Sequence, residues 1–160
     1  MNGAHLHLIF NELPIVAVFT SAVLLAIAFV ARSRDAWVRA GFLALAAAVV
    51  GAAAAFFTGD PAVDVIAGMP QTSNRALSQH HMRATIASLL VCVAALAAAV
   101  VFARARRRGG RFGRRAVTIV LVAVLAAAVA LAWTGLAGGR VNHPELQHRG
   151  DLADGPAQHH

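Results

Sequence analysis

The residues best suited to chemistry are eight histidines, and they are unevenly placed. His5 and His7 open the chain, His80 and His81 stand at its middle, and His143, His148, His159 and His160 close it. Imidazole is the commonest metal ligand and suits zinc, copper and haem iron. Six of the seven acidic residues keep the same company: Glu12, Asp60, Asp64, Glu145, Asp151 and Asp154. A carboxylate beside a ligating imidazole takes its second ring N–H and fixes the ring's orientation. On a helix, His5 and Glu12 would share one face at a spacing of seven, and His7 and Asn11 another at a spacing of four. The candidate ligands are therefore His7, His80 and His143. His5, Glu12, His81 and Glu145 stand by as further ligands or hydrogen-bonding partners. The plainer reading is a polar network that ties helix ends together without any cofactor.

The elements that must position these groups are membrane spans. The chain is 59% hydrophobic and 13% charged, about half the charge of a soluble domain. Its apolar residues fall in four blocks without ionised side chains: Leu13 to Ala31, Ala40 to Phe57, Ala84 to Ala103 and Ala116 to Ala137. Each is close to the ~20 residues that cross a ~30 Å hydrocarbon core. A soluble enzyme, a disulfide scaffold and a disordered chain are excluded. Met1 to Phe10 has no Lys or Arg, so the first block lacks the basic flank of a signal peptide.

Charge then orients the spans. All fourteen basic residues are Arg, and ten lie in two short connections. Arg32, Arg34 and Arg39 lie between blocks one and two. Arg104, Arg106, Arg107, Arg108, Arg111, Arg114 and Arg115 lie between three and four. The positive-inside rule puts both connections in the cytoplasm and both termini in the periplasm of a bacterial inner membrane. Anionic headgroups are the natural neighbours of such a loop. Nucleic acid is not, since no aromatic interleaving or reading module accompanies the charge. Every histidine then falls on the periplasmic side.

The expected fold is all-α: an integral membrane four-helix antiparallel bundle spanning 1–146, followed by a polar periplasmic tail, 147–160. Runs of Ala, and the pair Gly135 and Gly139, let helices approach closely. Asp60 and Pro61 read as the cap and first residue of a short separate helix, Pro61 to Ala67. Thr72 or Ser73 can cap a third helix, with no Gly or Pro to break it from about Asn74 to beyond Ala103. Trp37 and Trp133 read as interface anchors. Cys92 reads as a small core residue, and Thr20, Ser21, Thr85, Ser88 and Thr118 as interhelical or back-bonding hydroxyls. No ionised residue lies at mid-span, which argues against a pump or ion transporter. No Cys-x-x-Cys-His is present, which excludes covalent c-type haem.

Four segments carry a resemblance. His7 with Pro14 seven residues on, Thr58-Gly59-Asp60-Pro61-Ala62, and Gly138-Gly139 followed by His143-Pro144-Glu145 resemble a bacterial family of uncharacterised four-span membrane proteins. Ser73 to His80 is similar to that family's third-helix start. Glu12 stands where the family often has a second histidine, and Asn142 where it has Arg. The resemblance implies His7, His80, His143 and Glu145 as family positions. Relatives occur fused to or beside electron-transfer modules, so it also implies a redox membrane.

The leading expectation is thus a membrane subunit associated with electron transfer, holding haem b or a Cu or Zn ion at its periplasmic face. Leu8, Ile9 and Phe10 could supply apolar walls for a haem. The alternative is a cofactor-free accessory subunit of a larger respiratory or photosynthetic complex. Its partners are the lipid bilayer and other membrane subunits. A transporter or membrane enzyme ranks third.

Overall fold

A computed structural model describes the backbone over residues 3–66 and 74–142, and side chains over 11–59 and 78–136. Four helices follow one another: α1 (Gly3–Ile27), α2 (Arg34–Ile66), α3 (Asn74–Arg107) and α4 (Arg114–Asn142). The described residues are all-helical, as the composition required. α2, α3 and α4 each contain a stretch long and apolar enough to cross a membrane: Arg34–Gly59, Ser78–Arg107 and Arg114–Leu136. Within the described residues the apolar stretch of α1 is Asn11–Ile27.

Each helix packs on its neighbours in sequence, and α1 closes the ring against α4. α1 and α3 therefore face each other across one diagonal, and α2 and α4 across the other. The α1–α2 contact is the most extensive, and the α2–α3 contact the least.

Buried positions recur at alternating spacings of three and four. They are Pro14, Val18, Ser21, Leu25 and Ala28 on α1 and its end, and Val38, Gly41, Leu45, Ala48 and Ala52 on α2. On α3 they are Ala87, Val91, Ala94, Ala98 and Ala105, and on α4 Val117, Val120, Val124, Ala127, Leu131 and Thr134. A repeat of 3.5 residues is the seam of left-handed antiparallel packing, with helices crossing at about 20°. The stripes are built mostly from Ala, Val and Gly, while Leu43, Phe57, Leu89, Leu96, Ile119 and Val129 point outward and lie exposed. Large apolar side chains outside and small ones inside suit a lipid solvent, where close backbone packing rather than water exclusion drives association.

Glycine sets the tight points of the α1–α2 contact, and a Cβ on Gly41 would lie 2.9 Å from Leu25 Cγ and Cδ2. A Cβ on Gly51 would lie 3.0 Å from both Leu13 Cγ and Pro14 Cδ, so only glycine lets α2 come this close to α1. Pro14 continues α1 without breaking it.

The two connections at the arginine end are short and ordered. Gly109 and Gly110 have φ of 73° and 83°, the left-handed region that costs glycine nothing. The Gly110 amide donates to the Ala105 carbonyl at 2.8 Å, the six-to-one bond that ends a helix in a Schellman motif. α2 begins after Ser33, whose carbonyl accepts from Ala36 N at 3.0 Å.

The expected third helix is present as one unbroken element from Asn74 to Arg107. Two expectations are corrected. No separate helix starts at Pro61, because α2 runs on to Ile66. Pro61 forfeits only the bond to the Phe57 carbonyl, and the helix continues on either side of it. Cys92 is not a core residue either; it is exposed on the outer face of α3. It sits one position beyond Val91, off the inward stripe.

Candidate metal or haem centre at the histidine end

Side-chain contacts fix how the helices are set against one another along the bundle. Arg114 of α4 lies over the Phe29 ring, 5.4 Å from its centroid. Counting about twenty-two residues back along α1 reaches His7, and the same number forward along α4 reaches Leu136. On the other side of α4, Arg83 of α3 lies 4.3 Å over the Trp133 ring. Three residues on from Trp133 is Leu136, and three back from Arg83 is His80. To within the reach of an arginine side chain, this counting brings His7 and His80 to a similar level on diagonal helices.

The stripe phase adds to this. Continuing the buried spacing of α1 back from Pro14 falls on Asn11, His7 and Ala4. Continuing that of α3 back from Ala87 falls on Ala84 and His80. His80 stands at an inward register position and is half-buried; the same spacing, carried back along the sequence of α1, reaches position 7. On the other diagonal the stripes continue through Gly59 on α2 and past the buried Thr134 to Gly138 on α4. Neighbouring helix axes lie 8–10 Å apart, so the diagonal is about 11–14 Å.

The remaining candidates are placed differently. Glu12 is exposed, about 7 Å (five residues at 1.5 Å) further into the bundle than His7. His81 is exposed and off the stripe, with its carbonyl accepting from Thr85 Oγ1 at 3.0 Å. The backbone of His5 lies in α1, half a turn from His7. α4 continues to Asn142, about 9 Å (six residues) beyond the level of His80. His143 and Glu145 lie outside the described residues, as do Asp151 and the last two histidines. Among the described residues no three His, Cys, Asp or Glu are grouped closely enough to hold a metal ion.

Thr118 meets its expected local bond, its Oγ1 donating to the Arg114 carbonyl at 3.0 Å. Thr134, outside the expected set, does the same to Ala130 at 2.9 Å, whereas the buried Ser21 hydroxyl has no hydrogen-bond partner among the described residues, against expectation. Trp133 is not only an anchor, since its ring holds Arg83. That pair escapes sequence reasoning because it joins residues fifty apart. The one hint is a basic residue close to the start of an apolar block.

A four-helix bundle with apolar outer faces and a histidine-bearing end defines a class, the small helical integral membrane protein. The chain belongs to the DUF2231 family of predicted membrane proteins, whose model matches residues 3–144. No curated protein and no solved structure matches it.

Proposed function

We propose that this chain is an inner-membrane subunit serving electron transfer, which holds haem b between His7 and His80. The observation that carries the reading is their shared level and shared stripe phase on diagonal helices. Two ligands favour haem over a bare ion. A haem brings four nitrogens of its own and needs only two axial imidazoles, whereas zinc takes three or four protein ligands. A bare Cu or Zn ion would have to recruit His5, Glu12, His81, His143 or Glu145 as well. Gly59, at an inward register position of α2, supports the fit, since a bulky planar group would need space there. When bound, haem supplies one-electron chemistry. The chain's part is to fix the ring between two imidazoles and to wall it with Thr134 and the neighbouring apolar turns. On this reading the arginine end faces the cytoplasm and the histidine end the periplasm.

The test is an absorption spectrum with metal analysis on protein purified from its native membrane. A Soret band lost in both His7→Ala and His80→Ala supports bis-histidine haem. Bound zinc or copper without a Soret band replaces haem by an ion. A colourless, metal-free protein that co-purifies with large membrane partners favours the second reading, a structural subunit. That reading draws support from the exposed apolar ridge of α3 formed by Leu89, Val93, Leu96 and Val100, which would suit a neighbouring span as well as lipid.

A further inference from the structure

The arginine end carries a built feature that the histidine end does not explain. Ten arginines crowd it, and Asp35 is the single carboxylate in the same segments. Asp35 is already engaged, its Oδ1 accepting the Phe112 amide at 3.2 Å. The positive charge is therefore left without an internal counter-ion.

Two of these arginines line one groove, Arg39 of α2 and Arg106 of α3, together with Phe102, Ala105, Gly110 and Phe112. Its volume is about 210 Å³, short of the ~300 Å³ where drug-sized pockets begin. A phosphate with its glycerol linkage is of the right order; a nucleotide is too large. Arg39 is held in position, its Nη2 donating to the Gly110 carbonyl at 3.4 Å and its guanidinium 6.0 Å from the Phe112 ring. The groove opens beside the α2–α3 seam, the least extensive contact of the ring. It lies at the ends of the apolar spans, where headgroups of the surrounding leaflet are found.

We propose that this groove binds the headgroup of an anionic phospholipid. Arg39 and Arg106 take the phosphate, and Phe102 and Phe112 take the glycerol and first acyl carbons. Charge complementarity selects an anionic over a zwitterionic lipid, as in basic pockets between membrane helices generally. The mixed lining of cation and aromatic selects a lipid over a free ion. The role is structural or regulatory: one lipid would bridge the two helices that pack least.

The experiment is native mass spectrometry of the full chain in neutral detergent, supplied with phosphatidylglycerol or with phosphatidylcholine of identical acyl chains. One retained phosphatidylglycerol per chain, against little phosphatidylcholine, is expected. Arg39→Gln with Arg106→Gln should lower retention by roughly tenfold or more, from two lost charges near the surface. Arg107→Gln with Arg108→Gln removes equal charge outside the groove and should leave retention within about twofold. Helicity measured on each variant keeps unfolding separate from loss of the site. Equal retention of the two lipids overturns the proposal, and so does equal loss in both double variants, which would mean diffuse attraction. Displacement of the lipid by millimolar inorganic phosphate would show a free-anion site instead.

Discussion

Asp35 and Phe112, seventy-seven residues apart, are joined by one bond: Phe112 N–H donates to Asp35 Oδ1 at 3.2 Å. Arg34, the neighbour of Asp35, donates from Nη1 to the Phe112 carbonyl at 3.2 Å. One residue of the α3–α4 connection is thereby clamped on both its backbone groups by the first turn of α2. The Phe112 ring is buried and meets Phe42 edge-on at 5.7 Å. This clamp ties one helical hairpin to the other at the arginine end.

Removing the acceptor should loosen that end. Asp35→Ala leaves the Phe112 amide without its partner and should cost about 1–3 kcal/mol. Asp35→Asn keeps an oxygen in place and should cost less. Thermal unfolding in detergent, followed by circular dichroism, orders the three proteins; an unchanged midpoint for Asp35→Ala would refute the clamp.

Glycine at the α1–α2 contact should be irreplaceable, while glycine elsewhere is not. Gly51→Ala drives a methyl to 3.0 Å from the Pro14 ring, an overpacking that costs about 1–3 kcal/mol. Gly135→Ala meets nothing within 4 Å, and should be neutral or stabilise by up to ~1 kcal/mol through helix propensity. The comparison is a pair of melting curves, and equal shifts in both would contradict the close packing.

The adjacent histidines should part company. His80 stands on the inward stripe and His81 is exposed off it. His80→Ala should abolish bound haem or metal while the bundle still inserts, and His81→Ala should retain most of it. Cofactor-to-protein ratio after purification reads this directly. Equal loss in both would place the ligand elsewhere.

Orientation is open to a fusion experiment. A reporter active only in the periplasm, attached after His160, should be active; inserted at Gly110, it should be silent. The reverse pattern would invert the arginine end and with it the positive-inside reading.

Much of this protein is written in its composition. Blocks such as Ala84 to Ala103, without charge and about the length of a bilayer core, admit only a helix in lipid, because every backbone group must bond within its own segment. Ser73, and the absence of Gly or Pro after it, make one long α3 legible from local signals alone. Uniformly apolar spans, however, hide which face turns inward. Cys92 and Val91 are alike in hydropathy, and only packing decides that Val91 is buried and Cys92 faces out. Pro61 carries a strong local signal for a helix start, and the continuing α2 overrides it. The relative levels of α1, α3 and α4 depend on contacts such as Arg83 over Trp133 and Arg114 over Phe29. Such contacts set the stagger of whole helices, and stagger is a property of two surfaces fitting together, which no single segment contains.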